Sequence, residues 1–178
     1  GYGPDGSGGA SGPIPGVMHT YFNYCDAIVQ HRRDDFETEI WKSMVREQFD
    51  MGWPMYYGGC EDDGCHAFVC DGYDDHDMFH FNLGWGGGSD GWYLIDDAPY
   101  THPADAMFNF VPKPVYDATP SAPTALNVTV ESDTSLDAVL TWTNPTTYLD
   151  GSALTSIEKI VVMRNNSVVY ETTDNVMP

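Results

Sequence analysis

The chain has 178 residues, with 27 Asp and Glu against 7 Lys and Arg, and a formal net charge of −20. So acidic a balance argues against nucleic acid or an anionic membrane as partner, because both are polyanions that need a basic surface. The length fits one ordinary domain, or one with part of another, and no apolar run is long enough for a membrane span or a signal peptide.

The first residue is Gly1 rather than Met, so the chain is expected to be a segment of a longer product. It opens with "GYGPDGSGGASG", either a flexible linker or a loop packed beside a cleft. A helical turn or two is expected through "GVMHTYFNY". A better helix follows in "DDFETEIWKSMVREQFDMGWP", residues 34–54. Asp34 and Glu37 make a capping-box pattern there, and Phe36, Ile40, Met44, Val45 and Phe49 fall on one face. Gly52 and Pro54 end it. Beyond Pro54 the segments "PMYYGG", "HAFVCDGY", "DMFHFNLGW" and "GWYLID" are short, aromatic and punctuated by turns, which predicts antiparallel strands.

Cysteines stand at 25, 60, 65 and 70. They are too few for a disulfide scaffold, and their gaps differ from those of a zinc knuckle, so they read as packed or free thiols with no metal site. Composition changes at "VPKPVYDATPSAP", residues 111–123, whose four prolines predict an extended connector. We place the domains at 1–112 and 123–178, with a linker at 113–122. After the connector, "TALNVTVES", "DAVLTWTNP", "IEKIVVMRN" and "SVVYETT" read as short strands, with "RNNS" as a hairpin turn. Trp142 and Leu140 alternate onto one side, as in a sandwich core. The whole is an α+β architecture followed by a partial all-β module.

The chemistry centres on "HAFVCDGYDDHDMFHFNLGW". Folded as a hairpin turning at residue 74, it sets His66 opposite Asn82, and opposed side chains share a face. A carboxamide there can accept from one imidazole nitrogen and leave the other free as a base, the role of the third group in a Cys-His-Asn site. The same two residues also fit a satisfied strand histidine and a turn asparagine, and spacing alone leaves both readings open. A one-residue slip of the turn would separate them.

The motifs "YGPDGSGGAS", "DDFETEIW", "PMYYGG" and "HAFVCDGYDDHDMFHFNLGWGGGSDGWYLID", in this order, resemble the C-terminal half of streptopain-type cysteine peptidases. These are secreted bacterial enzymes with a papain-like fold, and the resemblance spans residues 1–112. It implies that His66 is the catalytic histidine, Asn82 its orienting residue and Trp85 an aromatic wall over the pair. It also implies that Gly8, Gly9 and Ala10 flank the substrate cleft and that Cys65 stands where the family has a glycine facing substrate. Leu83 replaces a family tryptophan. The family's nucleophilic cysteine belongs to an N-terminal half that this sequence does not contain.

None of the four cysteines is well placed to replace that nucleophile: Cys65 neighbours His66 and points to the other face of the strand, and Cys70 lies about 13 Å along it. Residues 120–178 resemble the first strands of a fibronectin type III module, implying a spacer or adhesion role. The expectation is a fragment of a secreted cysteine endopeptidase acting on proteins or peptides without a metal or organic cofactor, and inactive alone. The competing expectation is a non-catalytic secreted binding protein built on a degenerate peptidase half.

Overall fold

The structure is a computed structural model that describes residues 2–3, 6–62, 64–100, 102–130, 138–164 and 167–173. The chain divides into two units, Gly1–Lys113 and Pro114–Pro178.

The first unit begins with a ribbon of β1 (Tyr2–Gly3) and β2 (Gly6–Ser7), followed by helix α1 (Ile14–Phe22). Strand β3 (Val29–Arg32) and helix α2 (Thr38–Asp50) come next, then β4 (Met55–Glu61), β5 (Gly64–Tyr73), β6 (Phe79–Asn82), β7 (Gly91–Tyr93) and β8 (Ala104–Phe108). Strands β3 to β8 form one antiparallel sheet in the order β3-β8-β4-β5-β6-β7. Neither β3 nor β8 is legible in the sequence pattern. Tertiary pairing makes both, since β8 fills the gap between β3 and β4.

Helix α2 starts later than its sequence pattern predicts. Arg33–Asp35 form a 3-10 turn, the N-cap is Glu37, and no side-chain cap bond forms, so the expected Asp34–Glu37 box is absent. Arg33 takes over this corner, donating to the Phe36 carbonyl and the Thr38 hydroxyl. The buried stripe is Trp41, Val45 and Gln48, whereas Ile40, predicted inward, is 55% exposed. The helix is rotated because Trp41 has the largest surface to bury and an acceptor beneath it: its indole N–H donates to the Tyr57 hydroxyl at 2.9 Å.

The core lies between α2 and one face of the sheet. Tyr57, Phe68, Cys70, Phe79, Phe81, Ala106 and Phe108 point into it, in register with the pleat. Burial of Tyr57 pushes its phenol pKa far above the ordinary value.

The predicted proline-rich connector contains a short helix, α3 (Lys113–Asp117), in place of a wholly extended path. The second unit carries two separate hairpins, β9 (Thr124–Val130) with β10 (Ala138–Thr143), and β11 (Ile160–Arg164) with β12 (Ser167–Thr172). Leu140 and Trp142 are half-buried on one side of β10 while their neighbours are exposed. Residues 165–166 of the expected "RNNS" turn lie outside the described residues. Among the described residues, no helix is long and apolar enough to cross a membrane.

Candidate active site

His66 stands on β5 opposite Gly59 of β4, on the sheet face that carries Phe68 and Cys70. The β5–β6 register differs from the expected one. The hairpin turn sits beyond Tyr73, where the Asp74 carboxylate accepts from the N–H groups of His76 and Met78, and a register shift falls between Cys70 and Gly72. Asn82 therefore opposes Val69, which puts it on the sheet face away from His66, and the predicted His66–Asn82 pairing is not made. The Asn82 amide oxygen accepts from the Gly84 N–H at 2.9 Å.

The backbone supplies the partner instead. His66 Nε2 lies 2.8 Å from the Leu83 carbonyl oxygen. A carbonyl only accepts, so Nε2 carries the proton and Nδ1 is left as the basic nitrogen. The Leu83 peptide is held from its other side, its N–H donating to the Asp90 carboxylate at 2.8 Å. The Leu83 side chain is 1% exposed in the core, so the leucine that departs from the family tryptophan is an anchor for the carbonyl that orients His66. Gly84, Gly86 and Gly87 all have positive φ, the conformation this tight turn needs and other residues resist.

Three rings surround the imidazole. Trp85 stacks at 4.8 Å and 28°, Phe68 at 6.0 Å and 21°, and Tyr100 lies at 5.3 Å and 54°. Tyr100 belongs to the 96–103 loop and has no signal in the sequence pattern.

A cavity of about 540 Å³ borders His66 and is lined mainly from the opposite face of the sheet, its walls including Gly9, Ala10, Ser11, Cys60, Cys65 and Pro103. Gly8 precedes this wall and is exposed. The cavity's polar groups are Gln30, Arg32, Tyr56 and Asp105. The Gln30 amide donates to the Ser11 hydroxyl at 3.0 Å and also to Asp105. Burial, then the nearby Asp105 charge, raises the Tyr56 phenol, and a bond to Ser11 offsets part of that.

The cysteines are not all the packed or free thiols expected. Cys60 and Cys65 are directly paired across β4 and β5 and form a disulfide, Cα to Cα 3.9 Å. Cys65 therefore adds a sulfur wall to the cavity. Cys25 and Cys70 are free and buried, and burial raises both thiols, Cys70 well above its ordinary value. Cys25 also donates to the Asn109 carbonyl. Two of the four thiols are thus tied up in a bond to each other, and the other two are buried and hold their protons more tightly than usual.

The profile of the Peptidase C10 family matches residues 1–93. The chain is 36% identical over 95 residues to streptopain of Streptococcus pyogenes serotype M28, covering 53% of this chain and 24% of that protein. It is 36% identical over 91 residues to the thiol protease/hemagglutinin PrtT of Porphyromonas gingivalis, covering 51% of this chain and 10% of that protein. Among solved structures it resembles active wild-type interpain A, a cysteine protease of Prevotella intermedia. That match has a TM-score of 0.56 and 29% identity over 62% of this chain and 49% of the other. The chain thus spans a quarter or less of the curated relatives it matches. With more than half of its length under the family profile, the chain belongs to the Peptidase C10 family.

Proposed function

We propose that this chain supplies the general-base half of a secreted bacterial cysteine endopeptidase. The observation that carries the reading is the His66–Leu83 bond, which commits Nε2 and leaves Nδ1 as the base. A thiol from an N-terminal half would pass its proton to His66 Nδ1. The thiolate would attack the scissile carbonyl carbon, and the C–N bond would break as His66 returns the proton to the leaving amine. Water would then attack the thioester, giving one proton to His66, and release of the acid would regenerate the thiol. The route uses no cofactor.

Trp85 walls the imidazole, and Gly8, Gly9, Ala10 and the Cys60–Cys65 sulfurs border the path of a peptide. Asn82 acts through the turn: by capping the Gly84 N–H it shapes the peptide whose carbonyl holds His66. The disulfide also supports secretion, because such bonds persist in oxidising compartments. The second unit fits a spacer or adhesion role.

The test has two arms. The chain alone, incubated with casein, is expected to give no hydrolysis that iodoacetamide removes. Joined to an upstream half bearing the nucleophile, it is expected to cleave casein, and His66→Ala should lower that rate by roughly 10²–10⁴-fold. Unchanged cleavage by His66→Ala would sink the reading, and a completed chain that binds but never cleaves would favour the non-catalytic alternative.

A further inference from the structure

We infer that Tyr100 is a positioning residue for His66: its ring closes the aromatic box that fixes the imidazole plane, and its loop is built to hold it there. The inference rests on the proposed role of His66 as base.

Residues 96–100 and 102–103 are fastened at both ends and pressed onto the strand opposite His66. At one end Arg33 grips Asp96 with two bonds of 2.7 Å from Nε and Nη2. The His102 ring lies 2.9 Å from the Asp96 carbonyl. At the other end the Cys60 N–H donates to the Pro103 carbonyl at 3.2 Å, and the His102 N–H donates to the Cys60 carbonyl at 3.3 Å. Between these ties the Tyr100 N–H donates to the Glu61 carboxylate at 2.9 Å.

The closest approach is at Gly59, the cross-strand partner of His66. A Cβ on Gly59 would stand 1.8 Å from the Tyr100 carbonyl oxygen, so only glycine admits the loop. Tyr100 itself adopts φ 59°, a conformation unfavourable to an aromatic residue, and the surrounding bonds hold it there. The result is a ring 5.3 Å from the His66 ring and 5.9 Å, edge to face, from Trp85. Trp85 is 48% exposed and cannot hold its own stacking partner by burial; Tyr100 braces it from the side. The same electron-rich faces suit an imidazolium, the form His66 takes when the thiol has ionised.

The deciding experiment is ring NMR of histidine-labelled chain, which needs no turnover. In the parent, His66 is expected in the Nε2–H tautomer with a Cε1 proton upfield of that of exposed His76. Tyr100→Phe should keep both signatures. Tyr100→Leu should lose the upfield shift and give mixed tautomers, while the amide spectrum of α2 stays in place. If the leucine variant does not fold, Tyr100→Met offers flexible bulk in its place. In a peptidase completed with a nucleophile-bearing half, the aliphatic variant should lower kcat roughly 10- to 100-fold with KM little changed, and Tyr100→Phe should restore it.

An aliphatic variant that keeps tautomer and shift, or a Tyr100→Phe that loses them, overturns the inference. Intact NMR signatures beside a catalytically silent His66 would instead overturn the functional reading alone.

Discussion

The Leu83 peptide is gripped from both sides: its N–H donates to Asp90 at 2.8 Å while its carbonyl accepts from His66 at 2.8 Å. Orientation of the His66 ring therefore depends on a carboxylate seven residues from Leu83 in the chain. Asp90→Ala leaves the Leu83 N–H without its charged acceptor and should cost about 1.5–3 kcal/mol in urea unfolding. His66 should lose its single tautomer in the same variant. Asn82→Ala removes the Gly84 cap and should cost less, about 1 kcal/mol, on the scale of an ordinary neutral bond. Equal or reversed costs would show that the turn is held by something else.

Cys60 and Cys65 close a very short loop, for which chain-entropy arguments give about 2 kcal/mol. The double variant Cys60→Ala/Cys65→Ala should lose about that much. Titration of thiols in denaturant should count two before reduction and four after it. Four thiols before reduction would mean that the bond does not form.

At Gly59 the added methyl of alanine would meet the Tyr100 carbonyl at 1.8 Å, against backbone that cannot rotate away. Gly59→Ala is expected to destabilise by about 1–3 kcal/mol, the usual cost of forced overpacking, and to displace Tyr100 from His66. Gly58→Ala is a fair control, because its nearest neighbour is the movable Tyr56 hydroxyl at 3.1 Å. Equal thermal stability of the two variants would contradict the close approach.

Cys70 binds its proton more tightly folded than unfolded, because burial disfavours the thiolate. Its contribution to stability is complete below the ordinary value of 9.0 and is lost as pH rises from there toward the raised value. Cys25 and Tyr57 add losses of the same sign. The urea midpoint should fall between pH 8 and 10, by less in Cys70→Ala than in the parent. In the native state at neutral pH, iodoacetamide should leave Cys25 and Cys70 unmodified. Rapid labelling of Cys70 would refute its burial.

Trp41 joins helix to sheet through packing and the bond to Tyr57. Trp41→Phe keeps an aromatic ring but strands the hydroxyl, and should cost about 1–3 kcal/mol. Trp41→Ala should cost about 3–5 kcal/mol and leave the hairpin carrying His66 poorly supported. A tolerated alanine would place the core elsewhere.

Much of this was legible in the residues. A helix within residues 34–54, the strands around His66 and the family resemblance all follow from local pattern, because period, turn residues and side-chain chemistry are local properties. Three things were decided only in three dimensions. The strands β3 and β8 have no pattern of their own and exist because the sheet pairs them. The register of β5 with β6 depends on one displaced turn and one bulge, and with side chains alternating faces that was enough to move Asn82 away from His66. The backbone carbonyl that replaces it, and the Tyr100 ring beside it, cannot be read in any spacing, since every residue has a carbonyl and only the folded chain says which one faces an imidazole.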